Sequence, residues 1–225
     1  MASSPKAHSA LTARPASDWP PLHAIVDVDV AGRAGWDPSA YAAALLEGGA
    51  RFLQVRAKSL NSSDFLRLCD AVVATATEYQ ATVIINDRVD LAVLAGASGV
   101  HVGQEDLSVG DARNLLGPEA IVGHSTHTAA QIAAGVATSA TYLAVGPVFG
   151  TTTKETGYNA VGLALIREAR RATDRPIVAI GGVTLENARA ALDAGATMVA
   201  VISDLLIGND PKNRVRTYLD RLAGC

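Results

Sequence analysis

Residues 49–53 read GARFL, residues 96–100 read GASGV and residues 195–199 read GATMV. Each segment begins with a glycine, which can end a helix in the left-handed conformation, and continues through a short link into an apolar run. Residues 139–143 (SATYL) form a degraded fourth copy. This recurring pattern of helix end, link and strand predicts strands that alternate with helices along the whole chain.

Eight short apolar runs are the predicted strands. Most are continuously apolar rather than alternating, which is typical of a parallel sheet that is buried on both faces. The runs are residues 22–27, 52–57, 82–86, 99–103, 120–124, 142–146, 176–181 and 198–203. Helical patterning lies between them, for example at 64–79, 162–172 and 185–194, with N-caps predicted at Ser62 or Ser63, Ser108, Thr128 and Thr184.

The number of units predicts the architecture. The four copies of the repeat fall at alternate strand–helix units, which gives eight units. With residues 1–20 set aside as a flexible tail, residues 21–225 provide about 26 residues per unit, which suits a single-domain (β/α)8 TIM barrel. An open doubly wound sheet is the alternative. It would need a glycine-rich turn after the first strand, where Asp27-Val28-Asp29 stands instead.

Composition narrows the class of protein further. An apolar content of 49% together with a low net charge excludes a mainly disordered chain. The net charge of −3 also argues against a nucleic-acid-binding protein, because nucleic-acid-binding surfaces are usually basic. No apolar run approaches the length of a membrane span, so no membrane partner is expected. Two cysteines, Cys69 and Cys225, are too few for a disulfide framework, and no secretion signal is visible. A cytoplasmic protein is therefore predicted, with a transit peptide as the less favoured alternative.

The second predicted strand carries a set of polar side chains. Gln54, Arg56 and Lys58 are two residues apart and share one face if the strand persists that far. Two cations and an amide at a barrel mouth predict a clamp for phosphate or pyrophosphate, with Arg56 offering a planar fork. The alternative is a solvated strand end with stray basic residues.

Two carboxylates follow neighbouring strands. Asp87 comes directly after the third predicted strand, and Asp106 follows the fourth. Two hard oxygen donors beside a cationic clamp fit Mg²⁺, which binds through one or two carboxylates together with substrate phosphates. The alternative is that both acids cap the helices that follow them.

The fifth strand ends in GHSTH, at residues 123–127. A nucleophile elbow of the Gly-x-Ser-x-Gly type is missing, so Ser125 is interpreted as a hydroxyl donor to an anion rather than as a nucleophile. His124 and His127 are interpreted as packed or supporting residues rather than catalytic ones.

A second anion site is predicted from the later loops. The loop after the sixth strand contains Thr151, Thr153 and Lys154 but lacks the ending of a Walker motif. The loops after strands seven and eight, which carry Gly182 and Ser203, form the usual phosphate site of TIM barrels. Two anion sites that face one another predict two phosphorylated small-molecule substrates.

The combined motifs resemble those of the thiamine phosphate synthase family. They are QVRAK at 54–58, NDRVD at 86–90, HVGQED at 101–106, GP at 146–147 with TTTK at 151–154, and IGGV at 180–183. The resemblance runs from about residue 22 to residue 206. It implies that the protein joins a hydroxymethylpyrimidine pyrophosphate to a thiazole phosphate, by a dissociative reaction that releases pyrophosphate and forms thiamine phosphate.

The resemblance also implies roles for individual residues. It places Mg²⁺ on Asp87 and Asp106, and it assigns catalysis to Arg56, Lys58, Ser125 and Lys154. Around the pyrimidine pyrophosphate it places Gln54, Arg56, Lys58, Asn86, Ser125 and Lys154, and around the thiazole phosphate Thr151, Thr153, Gly182, Ile202 and Ser203. The charge of Asp204 would weaken that phosphate site unless the side chain points away from it.

Two other functions fit parts of the pattern. A thiazole tautomerase on the same scaffold would bind a similar phosphate without a metal site and would give His127 a role. A non-catalytic sensor of thiamine metabolites would not need both the metal pair and the clamp. The complete set of Gln54, Arg56, Lys58 and the two aspartates therefore favours the synthase. A homo-oligomer is compatible with the sequence.

Overall fold

The structure, a computed structural model, describes residues 18–150 and 159–223. Within this range, β1 to β8 are parallel and pair in sequence order, and β8 closes onto β1. The predicted TIM barrel is therefore confirmed. An open sheet is excluded because β1 pairs with both β2 and β8 and has no free edge.

The strands lie close to their predicted positions. They are β1 (Leu22–Asp27), β2 (Phe52–Arg56), β3 (Thr82–Asn86), β4 (Gly99–Val102), β5 (Ile121–Thr126), β6 (Tyr142–Val145), β7 (Ile177–Ile180) and β8 (Met198–Val201). The largest differences are at two carboxyl ends. Strand β5 continues two residues further than predicted because Ser125 and Thr126 still pair with β6. Strand β8 ends two residues earlier because Ser203 begins a 3-10 segment, Ser203–Asn209.

The helices follow the strands as predicted. They are α1 (Val28–Arg33), α2 (Pro38–Gly48), α3 (Ser62–Glu78), α4 (Val89–Leu94), α5 (Val109–Leu116), α6 (Ala129–Val136), α7 (Gly162–Ala172), α8 (Ala188–Asp193) and α9 (Pro211–Leu222). Among these helices, none combines the length and the apolar character that a membrane crossing requires.

Two of the four predicted N-caps are confirmed and two are wrong. Ser108 and Thr128 cap α5 and α6 through their side-chain oxygens. Helix α3 is capped by Asn61, whose Oδ1 accepts from the N–H of Asp64 at 3.0 Å, so that Ser62 is already helical. Helix α8 begins at Ala188, because Thr184 starts a turn that precedes the helix. Asparagine is as favourable an N-cap as serine, so Asn61 can cap α3 in place of Ser62 or Ser63.

The repeated glycines have the predicted conformation. Gly49, Gly96 and Gly195 have φ values of 110°, 61° and 108°, in the left-handed region that glycine adopts without steric cost. The three residues end α2, α4 and α8, and each is followed within three residues by a strand. The repeat therefore marks the places where the chain turns back at the amino-terminal end of the barrel.

The barrel interior is apolar at its amino-terminal end. Phe52, Tyr142 and Met198 are fully buried there, and Trp19 packs against them with its ring centroid 5.4 Å from that of Phe52. Trp19 belongs to the segment predicted as a flexible tail, yet only 5% of it is exposed. The prediction was wrong for this residue. The Ser- and Pro-rich composition of the segment gives no sign that the Trp19 indole packs into the amino-terminal end of the barrel interior. Residues 1–17 lie outside the described range.

Candidate functional site

A cavity of about 310 Å³ opens at the carboxyl ends of the strands. Eight of the predicted site residues line it: Gln54, Arg56, Lys58, Asn86, Asp87, Asp106, Ser125 and Ile202. The cavity is completed by residues that were not predicted to belong to the site, or were predicted only to support it: Ile25, His101, Gly103, Gln104, Glu105, His127 and Ile180. Residues from β1 to β5, β7 and β8, or from the loops that follow them, therefore meet in one place.

Arg56 is held by a buried carboxylate. The register of β1 and β2 sets Asp27 directly beside Arg56, and the guanidinium forms an ion pair with Asp27 Oδ2. The other oxygen of Asp27 caps α1 by accepting from the N–H of Val30 at 3.0 Å. Asp27, only 3% exposed, was missed as a site residue. Its signal was a carboxylate as the last residue of a mostly apolar strand.

Lys58 reaches the cavity from a loop. Strand β2 ends at Arg56, one residue before its predicted end at residue 57, so the strand does not persist as far as Lys58. The side chain nevertheless lines the cavity, where its ammonium group forms an ion pair with Asp87 Oδ2. Because Lys58 is half-exposed, this pair is accessible to a charged ligand.

The two predicted metal ligands, Asp87 and Asp106, lie side by side. Asp87 has a φ of 62°, and its N–H donates to the carbonyl oxygen of His101 at 2.8 Å, which fixes this conformation at the end of β3. Asp106 accepts from the N–H of Gly103 at 2.7 Å. Burial raises the pKa of Asp106 above its ordinary value, and the neighbouring Asp87 carboxylate adds to the rise.

This pair of carboxylates fits a magnesium ion. Within residues 18–150 and 159–223, no group of three or more His, Cys, Asp or Glu side chains could hold a metal by itself. Mg²⁺ does not require one, because it keeps several waters and takes one or two carboxylates together with substrate phosphate oxygens. Burial, and then the neighbouring Asp87 carboxylate, raise the pKa of Asp106, and a divalent cation would relieve this electrostatic arrangement.

Gln54 and Asn86 are the buried amides of the site. Gln54 Nε2 lies 3.4 Å from Nε2 of His23, a fully buried ring below the cavity. Burial, with a smaller contribution from His101, lowers the pKa of His23 to about 3. The ring is therefore neutral near pH 7, and its Nε2 can accept a hydrogen bond from the Gln54 amide.

Ser125 is connected to two interior residues. Its Oγ lies 2.8 Å from Nε2 of His101, and Nδ1 of His101 lies 2.9 Å from the hydroxyl of Tyr142. Tyr142 is completely buried, whereas Ser125 reaches the cavity. No role was predicted for His101 or Tyr142, because their connection depends on the pairing of β4, β5 and β6.

His124 and His127 differ in position. His127 lines the cavity, and its Nδ1 donates to the carbonyl oxygen of Gly146 at 2.5 Å. His124 lies 2.7 Å from the amide nitrogen of Gln104, and burial lowers the pKa of its ring. Both residues have contacts that fit the predicted supporting roles, which remain predictions.

The second predicted anion site is only partly described. Thr151, Thr153 and Lys154 lie outside the described residues. Gly182 has a φ of 64°, and a Cβ there would lie 2.3 Å from the carbonyl oxygen of Gly150, so the loops after β6 and β7 are in close contact. Ser203 directly follows Ile202, which lines the cavity.

Asp204 points away from this second site. Its carboxylate accepts from the guanidinium of Arg214 at 2.7 Å and from the hydroxyl of Tyr218, both on α9. Only 6% of Asp204 is exposed. Its charge is therefore neutralised within the protein, and it does not oppose an anion beside Ser203.

Comparisons with known proteins show which family the chain resembles. A family model described as thiamine monophosphate synthase matches residues 24–205. The chain is 43% identical over 208 residues to the thiamine-phosphate synthase of Koribacter versatilis, covering 90% of this chain and 96% of the relative. It is 38% identical over 203 residues to that of Methanoculleus marisnigri, covering 90% of this chain and 95% of the relative. Among solved structures, the thiamine phosphate pyrophosphorylase from Pyrococcus furiosus superposes with a TM-score of 0.80 at 27% identity, covering 91% and 98% of the two chains.

Proposed function

The chain belongs to the thiamine monophosphate synthase family, and on this premise we propose a reaction in which it joins 4-amino-5-hydroxymethyl-2-methylpyrimidine pyrophosphate to 4-methyl-5-(2-phosphooxyethyl)thiazole. The products are thiamine phosphate and pyrophosphate. The relatives are named thiamine-phosphate synthases, and the chain is accordingly a transferase. The substrates, the metal and the residue roles are the proposed part.

The main support for this proposal is the balance between acidic and basic side chains at the cavity. Within the described residues, two cationic and four acidic side chains lie in or directly beside the cavity: Arg56, Lys58, Asp27, Asp87, Glu105 and Asp106. A pyrophosphate would be repelled by the excess of negative charge if nothing else entered with it. A divalent cation held by Asp87 and Asp106 would remove this repulsion, and the carboxylates and the basic residues would then form one pyrophosphate site.

The chemistry requires a leaving group to be stabilised. The bond between the pyrimidine methylene carbon and the pyrophosphate oxygen breaks, and its electron pair leaves with the pyrophosphate. The thiazole nitrogen then donates its lone pair to the methylene carbon and forms the new C–N bond. No proton has to be removed by a strong base in these steps. Positioning and electrostatic stabilisation are therefore the main contributions of the protein.

Each predicted residue has a task in this reaction. Arg56, Lys58, Ser125 and Lys154 bind the pyrophosphate and stabilise the charge that develops on it. Mg²⁺, when bound by Asp87 and Asp106, supplies further stabilisation of the same charge. Gln54 and Asn86 orient the pyrimidine. Thr151, Thr153, Gly182, Ile202 and Ser203 hold the thiazole phosphate in line with the methylene carbon.

A direct assay tests the proposal. The purified full-length chain is incubated with both substrates and Mg²⁺, and thiamine phosphate and pyrophosphate are measured by chromatography. We expect the two products in equal amounts, loss of turnover with EDTA and recovery on addition of excess Mg²⁺. Absence of product with both substrates and Mg²⁺ would overturn the synthase assignment. Unchanged turnover in EDTA would overturn the metal assignment alone.

A further inference from the structure

The hydrogen-bond chain from Tyr142 through His101 to Ser125 connects the barrel interior with the cavity. We infer that Tyr142 is a positioning residue, which fixes His101 in the Nε2–H tautomer and thereby turns the hydroxyl proton of Ser125 toward the cavity. The inference deepens the proposed function, since it assigns the direction in which Ser125 donates. Its structural part can be tested without turnover.

The geometry of this chain depends on one glycine. Tyr142 and His101 stack with their ring centroids 5.6 Å apart and an interplanar angle of 21°. The tyrosine ring crosses the position that a side chain at 123 would occupy. A Cβ on Gly123 would lie 2.1 Å from Cζ of Tyr142 and 2.6 Å from Nδ1 of His101. Only glycine at this position leaves room for the Tyr142 hydroxyl to reach His101 at 2.9 Å.

The direction of the first hydrogen bond follows from burial. Tyr142 is fully buried, and burial raises the pKa of its hydroxyl, so the phenol keeps its proton. Among the described residues, His101 Nδ1 is the acceptor found within hydrogen-bond distance of that hydroxyl. If Nδ1 carried a proton instead, the phenol proton would be buried without an acceptor, at a cost of about 1–3 kcal/mol. Tyr142 therefore donates and His101 Nδ1 accepts.

The remaining hydrogen bond follows from the first. A neutral imidazole that accepts at Nδ1 carries its proton on Nε2. That proton is donated to Ser125 Oγ, which lies 2.8 Å away. The hydroxyl proton of Ser125 is then directed away from His101, and the side chain lines the cavity. With the opposite tautomer, Ser125 would donate to His101 and would present only lone pairs to an anion, which is repulsive.

Histidine NMR tests the tautomer in the ligand-free protein. Long-range ¹H–¹⁵N correlation spectra distinguish protonated from unprotonated ring nitrogens, and the His101 signals are assigned by their loss in His101→Asn. We expect an unprotonated Nδ1 and a protonated Nε2 in the wild type near pH 7. The Nδ1–H tautomer, or a ring protonated on both nitrogens, would overturn the inference. Because no substrate is present, this result does not depend on the proposed reaction.

Replacing Tyr142 with Phe removes the hydroxyl and keeps the ring. Tyr41→Phe is the matched control, since Tyr41 is 1% exposed and its buried hydroxyl has no hydrogen-bond partner among the described residues. We expect Tyr142→Phe to unfold in a cooperative transition as the control does, to lose the preference for the Nε2–H tautomer and to lower kcat by about 5- to 10-fold, with KM nearly unchanged. Equal kcat values for the two variants would contradict the inference.

A double mutant separates positioning from general damage. In the Ser125→Ala background no hydroxyl remains to be oriented, so we expect Tyr142→Phe to change kcat by less than about twofold. A full additional loss in that background would show that Tyr142 acts by another route and would overturn the inference. If no variant and not even the wild type forms thiamine phosphate, the proposed function fails, while the NMR result still decides the tautomer.

Discussion

The two ends of the barrel use the same side-chain chemistry for different purposes. At the amino-terminal end, the Arg113 guanidinium donates to the carbonyl oxygens of Pro118 and Ser139, both at 2.9 Å, and to that of Ala120. At the carboxyl end, the Arg56 guanidinium pairs with the carboxylate of Asp27 and borders the cavity. One arginine ties loops together, and the other faces the place where a ligand can bind.

The two arginines differ in the groups that accept their hydrogen bonds. Backbone carbonyls are part of the fold, so the bonds of Arg113 are present whenever the barrel is folded. The pairs of Arg56 and Lys58 are with carboxylates at the cavity, one of which, Asp87, is also a predicted metal ligand. Substitutions at the amino-terminal end should therefore reduce stability, and substitutions at the carboxyl end should reduce activity, as expected for TIM barrels.

The largest effect is expected for Asp87→Asn. Asparagine tolerates the left-handed φ of 62° at this position, so the substitution removes the charge without straining the backbone. We expect kcat to fall by at least about 100-fold, since several kcal/mol of charge stabilisation are lost. Affinity for the thiazole phosphate, measured by calorimetry, should change by less than about threefold, because the proposed site of that ligand is the second anion site.

A control for Asp87→Asn lies on the barrel surface. Asp193 is 60% exposed and pairs with Arg189 one helical turn earlier. Asp193→Asn should leave both kcat and thiazole phosphate affinity unchanged. If Asp87→Asn weakened both substrate sites equally, the division of the cavity into two anion sites would be wrong.

An intermediate effect is expected for Arg113→Ala at the opposite end. The substitution leaves the carbonyl oxygens of Ala120 and Ser139 without their charged donor, and we expect the free energy of unfolding to fall by about 2–3 kcal/mol. Denaturant unfolding measures this change. Arg189→Ala, which removes an exposed pair, should cost less than about 0.5 kcal/mol.

The comparison of the two ends also predicts the activity of Arg113→Ala. At temperatures where the variant is folded, kcat and KM should equal those of the wild type. A loss of kcat in the fully folded variant would show that the amino-terminal end contributes to the reaction, and the functional separation of the two ends would then fail.

The smallest effect is expected for His127→Ala. The ring lines the cavity, but its Nδ1 is used to hold the carbonyl oxygen of Gly146. We expect kcat to fall by about two- to fivefold, which corresponds to the loss of one positioning hydrogen bond. Steady-state kinetics with both substrates measure it. Complete loss of turnover would give His127 a direct part in the reaction.

Much of the fold could be predicted because its signals are local. Continuous apolar runs, left-handed glycines and their spacing reproduced all eight strands within two residues at each end. The errors occurred where distant parts of the chain meet. Ser125 and Thr126 extend β5 because β6 lies beside them, and Trp19 is ordered because the barrel floor accepts its ring.

The site could be predicted as a set of residues but not as a network. Asp87 and Asp106 were recognisable because both follow apolar strands, and the structure brings both to the cavity. Asp27 was missed because nothing in its neighbourhood indicates a cation 29 positions further along the chain. Tyr142 was missed because its hydroxyl meets His101, 41 positions away, through a gap left by Gly123.

The sequence by itself determined the order of strands and helices, the number of units and the end of the barrel at which polar side chains gather. These properties follow from periodicity and turn chemistry within short segments. Only the tertiary structure decided that Asp27 neutralises Arg56, that Asp204 turns toward Arg214 and that His101 contacts both Tyr142 and Ser125. Such pairings depend on the register between strands and on which side chains share the interior, and closure of the barrel determines both.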